Sequence, residues 1–200
     1  MNNLILIGGG GHCLSCIEII ENLNTFNISG IIDINKNKNI SYPIIGSDSD
    51  LEKIRSRFDY AFITIGQIKD PSNRISLYNL LKKLKYKIPK IISKNAYISQ
   101  HNTIGVGSII MNKVMLNTHS RIGENSIINT GTIIEHGASV GNNCHISTGA
   151  IVNGDVNIGN NTFIGSNTVI KEGISIGNNC VVGAGLFIKS DIENFKIIKK

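Results

Sequence analysis

Among the 200 residues, two histidines stand out for their surroundings. His136 and His145 sit among Ser, Thr, Asn and Gly, where packing gives no reason for an imidazole. A ring that titrates near neutrality can take a proton from an attacking nucleophile, so the pair marks candidate acid–base chemistry. His101 and His119 lack that context and read as solvated surface residues. A second candidate lies at Gly8-Gly9-Gly10-Gly11-His12. Such a glycine loop leaves free N–H groups at the start of a helix, where the helix dipole also favours an anion such as a nucleotide or sugar phosphate. Asp33, at a predicted strand end, can accept hydrogen bonds from a sugar or base, or can simply close a turn. The cysteines offer less. Cys13 and Cys16 form a C-x-x-C but have no thioredoxin-like context, and read as small packing residues. Cys144 and Cys180 are 36 residues apart and fall on interior stack positions, so no disulfide is expected.

The elements that carry the glycine loop alternate. Leu4 to Ile7 predicts a strand, His12 to Leu23 a helix, Ser29 to Ile32 a strand ending at Asp33, Tyr60 to Ile65 a strand ending at Gly66, and Pro71 to Lys85 a helix. That order implies a small parallel sheet of Rossmann type over residues 1–90, with Gly10, Gly11, His12, Asp33 and Gly66 outside the carboxyl ends of the strands. A dinucleotide site is disfavoured: Cys13 stands where a third glycine belongs, and ninety residues hold only one mononucleotide half.

The histidines belong to a different pattern. From Ile98 an aliphatic residue recurs every six positions through Ile104, Ile110, Leu116 and onward to Ile188, sixteen times without an insertion. Three hexads make an 18-residue turn of a triangular prism, with one aliphatic per hexad pointing inward and stacked turns sharing one core. Gly105, Gly123, Gly141, Gly159 and Gly177 mark one corner, where glycine suits unusual backbone angles. Asn142, Asn143, Asn178 and Asn179 beside them are placed to form hydrogen-bonded ladders. The prism spans 91–190, followed by a basic tail, 191–200.

The hexads resemble the hexapeptide-repeat superfamily, and the whole chain resembles the NeuD/PglD family of bacterial sugar acetyltransferases. The residues that carry this are Gly8-Gly9-Gly10-Gly11-His12, Ile65-Gly66-Gln67, Ile133-Ile134-Glu135-His136 and Cys144-His145-Ile146-Ser147-Thr148-Gly149-Ala150. The resemblance implies a left-handed parallel β-helix, a homotrimer with sites between neighbouring prisms, and acetyl-CoA as co-substrate. It assigns His136 as general base and His145 to holding acetyl-CoA. It sets the backbone at Gly154, Ser166 and Ala184 along the pantetheine arm, and Gly10, Gly11, His12, Asp33 and Gly66 in a nucleotide-sugar pocket. The implied reaction is N-acetylation of a nucleotide-linked amino sugar, with O-acetylation of a sialic-acid-like sugar as the alternative.

The sequence departs from the family at two places. Family members follow the catalytic histidine with Asp or Glu; here Gly137 follows it. One 18-residue turn beyond 137 lies Asp155, expected about 4.8 Å above and able to supply the missing carboxylate. Glu135 is a second candidate. The Pro-Ala-Lys-type ending of many relatives is also missing, and Lys189, Lys199 or Lys200 are candidates for the CoA phosphates.

Composition narrows the remaining classes. The net charge of +6 is scattered and aromatics are 6% with no Trp, which disfavours a nucleic-acid platform. No apolar run approaches a membrane span, and the apolar start lacks a basic lead, so a cytoplasmic protein is expected. A zinc hydratase using His119, His136 and His145 needs residues half a turn apart to meet, and leaves the first ninety residues unexplained. A non-catalytic scaffold rests only on Gly137 and the missing ending.

Overall fold

The computed structural model describes residues 1–35 and 39–199. They form two compact units, Met1–Gly66 with Ser72–Lys94, and Gln67–Pro71 with Asn95–Lys200. The division falls at 94/95, and a short loop from the first part of the chain belongs to the second unit.

In the first unit β1 (Asn2–Ile7), β2 (Phe26–Ile32), β3 (Ile44–Gly46) and β4 (Tyr60–Ile63) form a parallel sheet in the order β3-β2-β1-β4. Strand order reverses at β1, and the crevice outside the carboxyl ends of β1 and β4 is where such sheets take ligands. Helix α1 (Gly11–Leu23) starts inside the glycine run and turns Cys13, Cys16, Ile17, Ile19 and Ile20 inward. It ends at Asn24, which takes the left-handed conformation at φ 55°. Burial raises the Cys13 and Cys16 thiols above their ordinary range, which suits packing and not redox exchange. β3 and the short helix α2 (Leu51–Ile54) have no counterpart in the sequence reading. Helix α3 (Ser72–Lys83) begins directly after Pro71.

The second unit is a three-sided prism of two-residue strands. Side one carries Tyr97–Ile98, Met115–Leu116, Ile133–Ile134, Ile151–Val152, Val169–Ile170 and Phe187–Ile188. Side two runs from Thr103–Ile104 through Arg121–Ile122, Ser139–Val140 and Asn157–Ile158 to Ser175–Ile176. Side three includes Ile127–Ile128, His145–Ile146, Phe163–Ile164 and Val181–Val182. From Tyr97 to Ile188 the strands of each side pair in parallel with an 18-residue offset, as in Arg121 against Ser139, and the last strand, Ile197–Ile198, pairs with Val181–Val182 at an offset of 16. The second residue of each pair faces inward; from Ile110 to Ile188 these are all buried.

One expectation about the corners needs correcting. Gly105, Gly123, Gly141, Gly159 and Gly177 do not take left-handed angles. They are glycine because the next turn presses on them: a Cβ at Gly105 would lie 2.5 Å from the backbone N of Glu124. The left-handed bend falls two residues later, at Gly107 and at Asn125, Asn143, Asn161 and Asn179. Asparagine tolerates that conformation, and here its amide also bonds the next turn. Asn125 Nδ2 donates to Asn143 Oδ1, Asn143 to Asn161, and Asn161 to Asn179, at 2.9–3.0 Å. A second ladder uses the neighbouring column: Asn142, Asn160 and Asn178 each accept the backbone N–H one turn below.

Beside these ladders runs a buried column of Ser108, Ser126, Cys144, Thr162 and Cys180. Each donates to a carbonyl of the next turn, as Ser126 Oγ does to Gly141 O and Cys144 Sγ to Gly159 O. Cys144 and Cys180 are therefore free thiols in the interior. Burial pushes the Cys144 thiol up to about 12. Among the described residues no helix is long and apolar enough to cross a membrane.

Candidate active site

His136 is exposed in the turn after Ile133–Ile134, at the corner between sides one and two, and not on a strand. Its ring lies on the backbone of the turn above: a Cβ on Gly154 would sit 2.6 Å from Cε1 and 2.7 Å from Nε2. Side chain and glycine alternate in both columns of this corner. One column reads His136, Gly154, Glu172; its neighbour reads Gly137, Asp155, Gly173. Asp155 occupies the other diagonal, and its carboxylate Oδ1 takes the space that a side chain at Gly137 would fill. The backbone N–H of Asp155 donates to His136 O at 2.9 Å, fixing the two turns. Asp155 takes left-handed angles, φ 57°, as Gly137 and Gly173 do.

Glu135 is otherwise engaged. Its Oε2 accepts from Asn117 Nδ2 at 2.7 Å and from the His136 backbone N–H at 3.3 Å, so it braces the turn. A pocket of about 490 Å³ is lined by Glu135, His136, Asn153, Gly154, Asp155 and Glu172, among others.

His145 lies elsewhere. It starts a side-three strand and is 7% exposed, with Phe163 edge-on at 5.3 Å. Its tautomer follows from its neighbours. The Gln67 carbonyl faces Nδ1, so Nδ1 carries the proton. Asn129 Oδ1 accepts from the Thr130 N–H at 2.8 Å, which turns the Asn129 amide Nδ2 towards His145 Nε2 at 3.1 Å. Nε2 is then placed to accept. Gln67 is held in turn by its side-chain Nε2, which donates to Asn143 O. His145 forms the wall of a cleft of about 380 Å³ with Ser147, Ser166, Ala184, Lys69 and Lys199, among others. Ser147 and Ser166 hydroxyls bond at 2.9 Å.

Of the expected co-substrate residues, His145, Ser166 and Ala184 meet in this cleft. Gly154 does not; it beds His136. His119 stacks on His101 at 5.1 Å, one turn below Gly137, and is not gathered with His136 and His145. Lys189 is exposed and packs its amine over the Phe187 ring. Lys200 lies outside the described residues.

In the first unit, Gly10 caps α1 with extended backbone, and added Cβ atoms on Gly10 and Gly11 would meet nothing within 4 Å. Gly66 faces His12, at 3.6 Å from a Cβ placed there. Asp33 is more committed than expected. Its Oδ2 accepts the Gly9 N–H at 2.6 Å and its Oδ1 the Asn35 N–H at 2.8 Å, so it ties the end of β2 to the glycine loop. Sequence reading missed Arg74. From inside the core it donates to the carbonyls of Ile63 and Ile65, fixing the end of β4 beside Gly66. Desolvation pulls its guanidinium down to about 10. An arginine on a helix beside apolar positions gives no sign in sequence that it points inward.

A three-sided prism of hexads, with histidines at a corner and in a side cleft, is the architecture of the hexapeptide-repeat acyltransferases. Residues 119–153 and 155–190 match the hexapeptide repeat of succinyl-transferase, and residues 3–81 match the PglD N-terminal domain. The chain belongs to the NeuD/PglD family of sugar acetyltransferases, with a left-handed β-helix that follows its α/β unit in the sequence. Similar solved structures include the acetyltransferase domain of PglB from Neisseria gonorrhoeae in complex with acetyl coenzyme A. It is 25% identical with a TM-score of 0.91, over 98% of this chain and 96% of that one. A histidine-to-alanine mutant of GDP-perosamine N-acetyl transferase from Caulobacter crescentus, in complex with CoA and GDP-perosamine, is 26% identical. Its TM-score is 0.90, over 98% and 93% of the two chains. WeeI from Acinetobacter baumannii, 21% identical with a TM-score of 0.88 over 100% and 97%, shares the fold. No curated protein matches the sequence.

Proposed function

We propose that the protein transfers an acetyl group from acetyl-CoA to the amine of a nucleotide-linked amino sugar, with His136 as general base. The observation that carries this is the imidazole bedded on Gly154 at the mouth of a polar pocket that Asp155 also lines. The neutral amine attacks the thioester carbonyl carbon, His136 takes the amine proton, and the C–S bond breaks. The proton then passes to the departing CoA thiolate. Asp155 is a positioning residue: a carboxylate lining the same pocket as a ring that gains charge steadies the imidazolium across that space, standing one turn above Gly137, which has no side chain to do so.

The side-three cleft suits the pantetheine arm of acetyl-CoA, and Lys69 and Lys199 at its rim suit the CoA phosphates. His145, pinned as an Nδ1–H tautomer, walls that cleft. The α1 N-terminus, with Gly10, Gly11, His12 and Gly66, suits the nucleotide-sugar phosphates. The relatives crystallised with acetyl coenzyme A, and with CoA and GDP-perosamine, support both assignments.

A trimer completes the site. Side one presents Tyr97, Met115, Ile133, Ile151, Val169 and Phe187 outward, with Tyr97 62% and Phe187 57% exposed. Side two presents Thr103, Arg121, Ser139, Asn157 and Ser175 instead. An apolar side of this length calls for cover, and a second copy of the chain is the occupant. His136 borders one edge of side one, and Ser166 and Ala184 border the other. In a closed ring, one copy's base meets its neighbour's cleft.

The test follows free CoA thiol from acetyl-CoA with UDP- and GDP-linked amino sugars, with nonulosonates as the contrasting acceptors. Release on an amine acceptor, lost in His136→Ala, is expected; release only on nonulosonates would overturn N-acetylation. Mixing His136→Ala with Ala184→Trp subunits should recover activity if the site is shared between copies. No recovery in mixed trimers would place base and cleft in one chain.

A further inference from the structure

We infer that Glu172 selects an acceptor carrying an ammonium group. The inference rests on His136 being the base of this corner, and it adds the residue that chooses the substrate's charge. Glu172 stands two turns above His136 in the same column, and the residue between them is Gly154. With no side chain at 154, the imidazole occupies that level, and Glu172 is the next side chain above it along the pocket wall.

The three acids of this pocket have different duties. Glu135 is bonded to Asn117 and to the His136 backbone, and Asp155 fills the space over Gly137. Among the described residues Glu172 has no hydrogen bond or ion pair, so its carboxylate is uncommitted. No lysine or arginine lines the pocket. Lys171 is the nearest cation in sequence and lines none of it; His119 lies one turn below Gly137, stacked on His101. A wall of this charge attracts a sugar amine, which is protonated at neutral pH, and repels an acceptor with a carboxylate. Glu172 then holds the ammonium form beside His136; one ammonium proton is given up to solvent, and the neutral amine attacks. A hydroxyl acceptor gains nothing from Glu172.

The experiment measures dissociation constants by calorimetry on the full-length protein, using a GDP- or UDP-linked 4-amino sugar and the same sugar nucleotide with hydroxyl in place of the amine. In Glu172→Gln the amino sugar should bind about fivefold more weakly near neutral pH, the scale of one solvent-accessible ion pair. The hydroxyl analogue should bind as before, which also shows the pocket intact. The difference should vanish above the amine's own pKa, where no cation is left to attract. Equal weakening of both ligands, or none for the amino sugar, overturns the inference. Because binding is read without turnover, a failure of His136 as base appears separately, as an active His136→Ala enzyme.

Discussion

The corner between sides two and three and the corner between sides one and two are built on the same 18-residue period, yet they look unlike. At the first, each turn repeats its neighbour: asparagine above asparagine, with amide-to-amide bonds of 2.9–3.0 Å from Asn125 to Asn179. At the second, repetition stops between residues 136 and 173, where large side chains and glycines alternate. Identical residues stacked 4.8 Å apart hold turns together but leave no room for a reacting group. Alternation with glycine opens that room and lets a ring and a carboxylate line one pocket. In a repeat protein, then, the scaffold is where the pattern is obeyed and the chemistry where it lapses.

That contrast can be broken most severely at His136. Removing the general base should lower kcat by about 10²–10⁴, with thermal stability close to wild type. Gly154→Ala should come next: its Cβ enters the space of the imidazole, so activity should fall about tenfold or more while the prism stays folded. If Gly154→Ala is fully active, the ring does not work from its bed. Asp155→Asn keeps shape but loses charge, and should lower kcat severalfold and change the acid limb of the kcat–pH profile. An unchanged profile would remove Asp155 from the mechanism. Smallest, and purely structural, is Asn161→Ala on the regular corner. Losing two ladder bonds and forcing alanine to φ near 60° should cost about 2–3 kcal/mol, seen as a melting temperature several degrees lower with unchanged kcat. Asn161→Gly should lose less, because the backbone strain is relieved.

The prism was legible because one inward aliphatic per hexad is a long-range periodic signal, and the 18-residue offset alone located Asp155 over Gly137. What periodicity could not give was the reason for each glycine. Gly105 and its equivalents look like turn formers but are required by crowding, whereas the bend itself is carried by asparagines that resemble ordinary surface residues. Gly154, matched to a co-substrate position by resemblance, also lies under the His136 ring. In the first unit, β3 and α2 escaped notice because three and four residues carry too little pattern. Gln67 and Arg74 act through backbone carbonyls, partners that leave no trace in a string of residue types.

The 18-residue register also sets what evolution can do with the chain's length. A duplication of one whole turn keeps every inward residue inward and every ladder bonded, so the fold tolerates it; a single residue inserted within a strand reverses that strand's faces, whereas a corner can absorb a change of length, as in the last turn with its offset of 16. The pocket is less forgiving. It is written across three consecutive turns, and an extra turn between 155 and 172 would leave a sound prism with His136 and Glu172 on separate storeys. Growth and shrinkage of this protein are therefore closed across the stretch that holds its histidine and across the side-three cleft, which reaches Ala184 and Lys199.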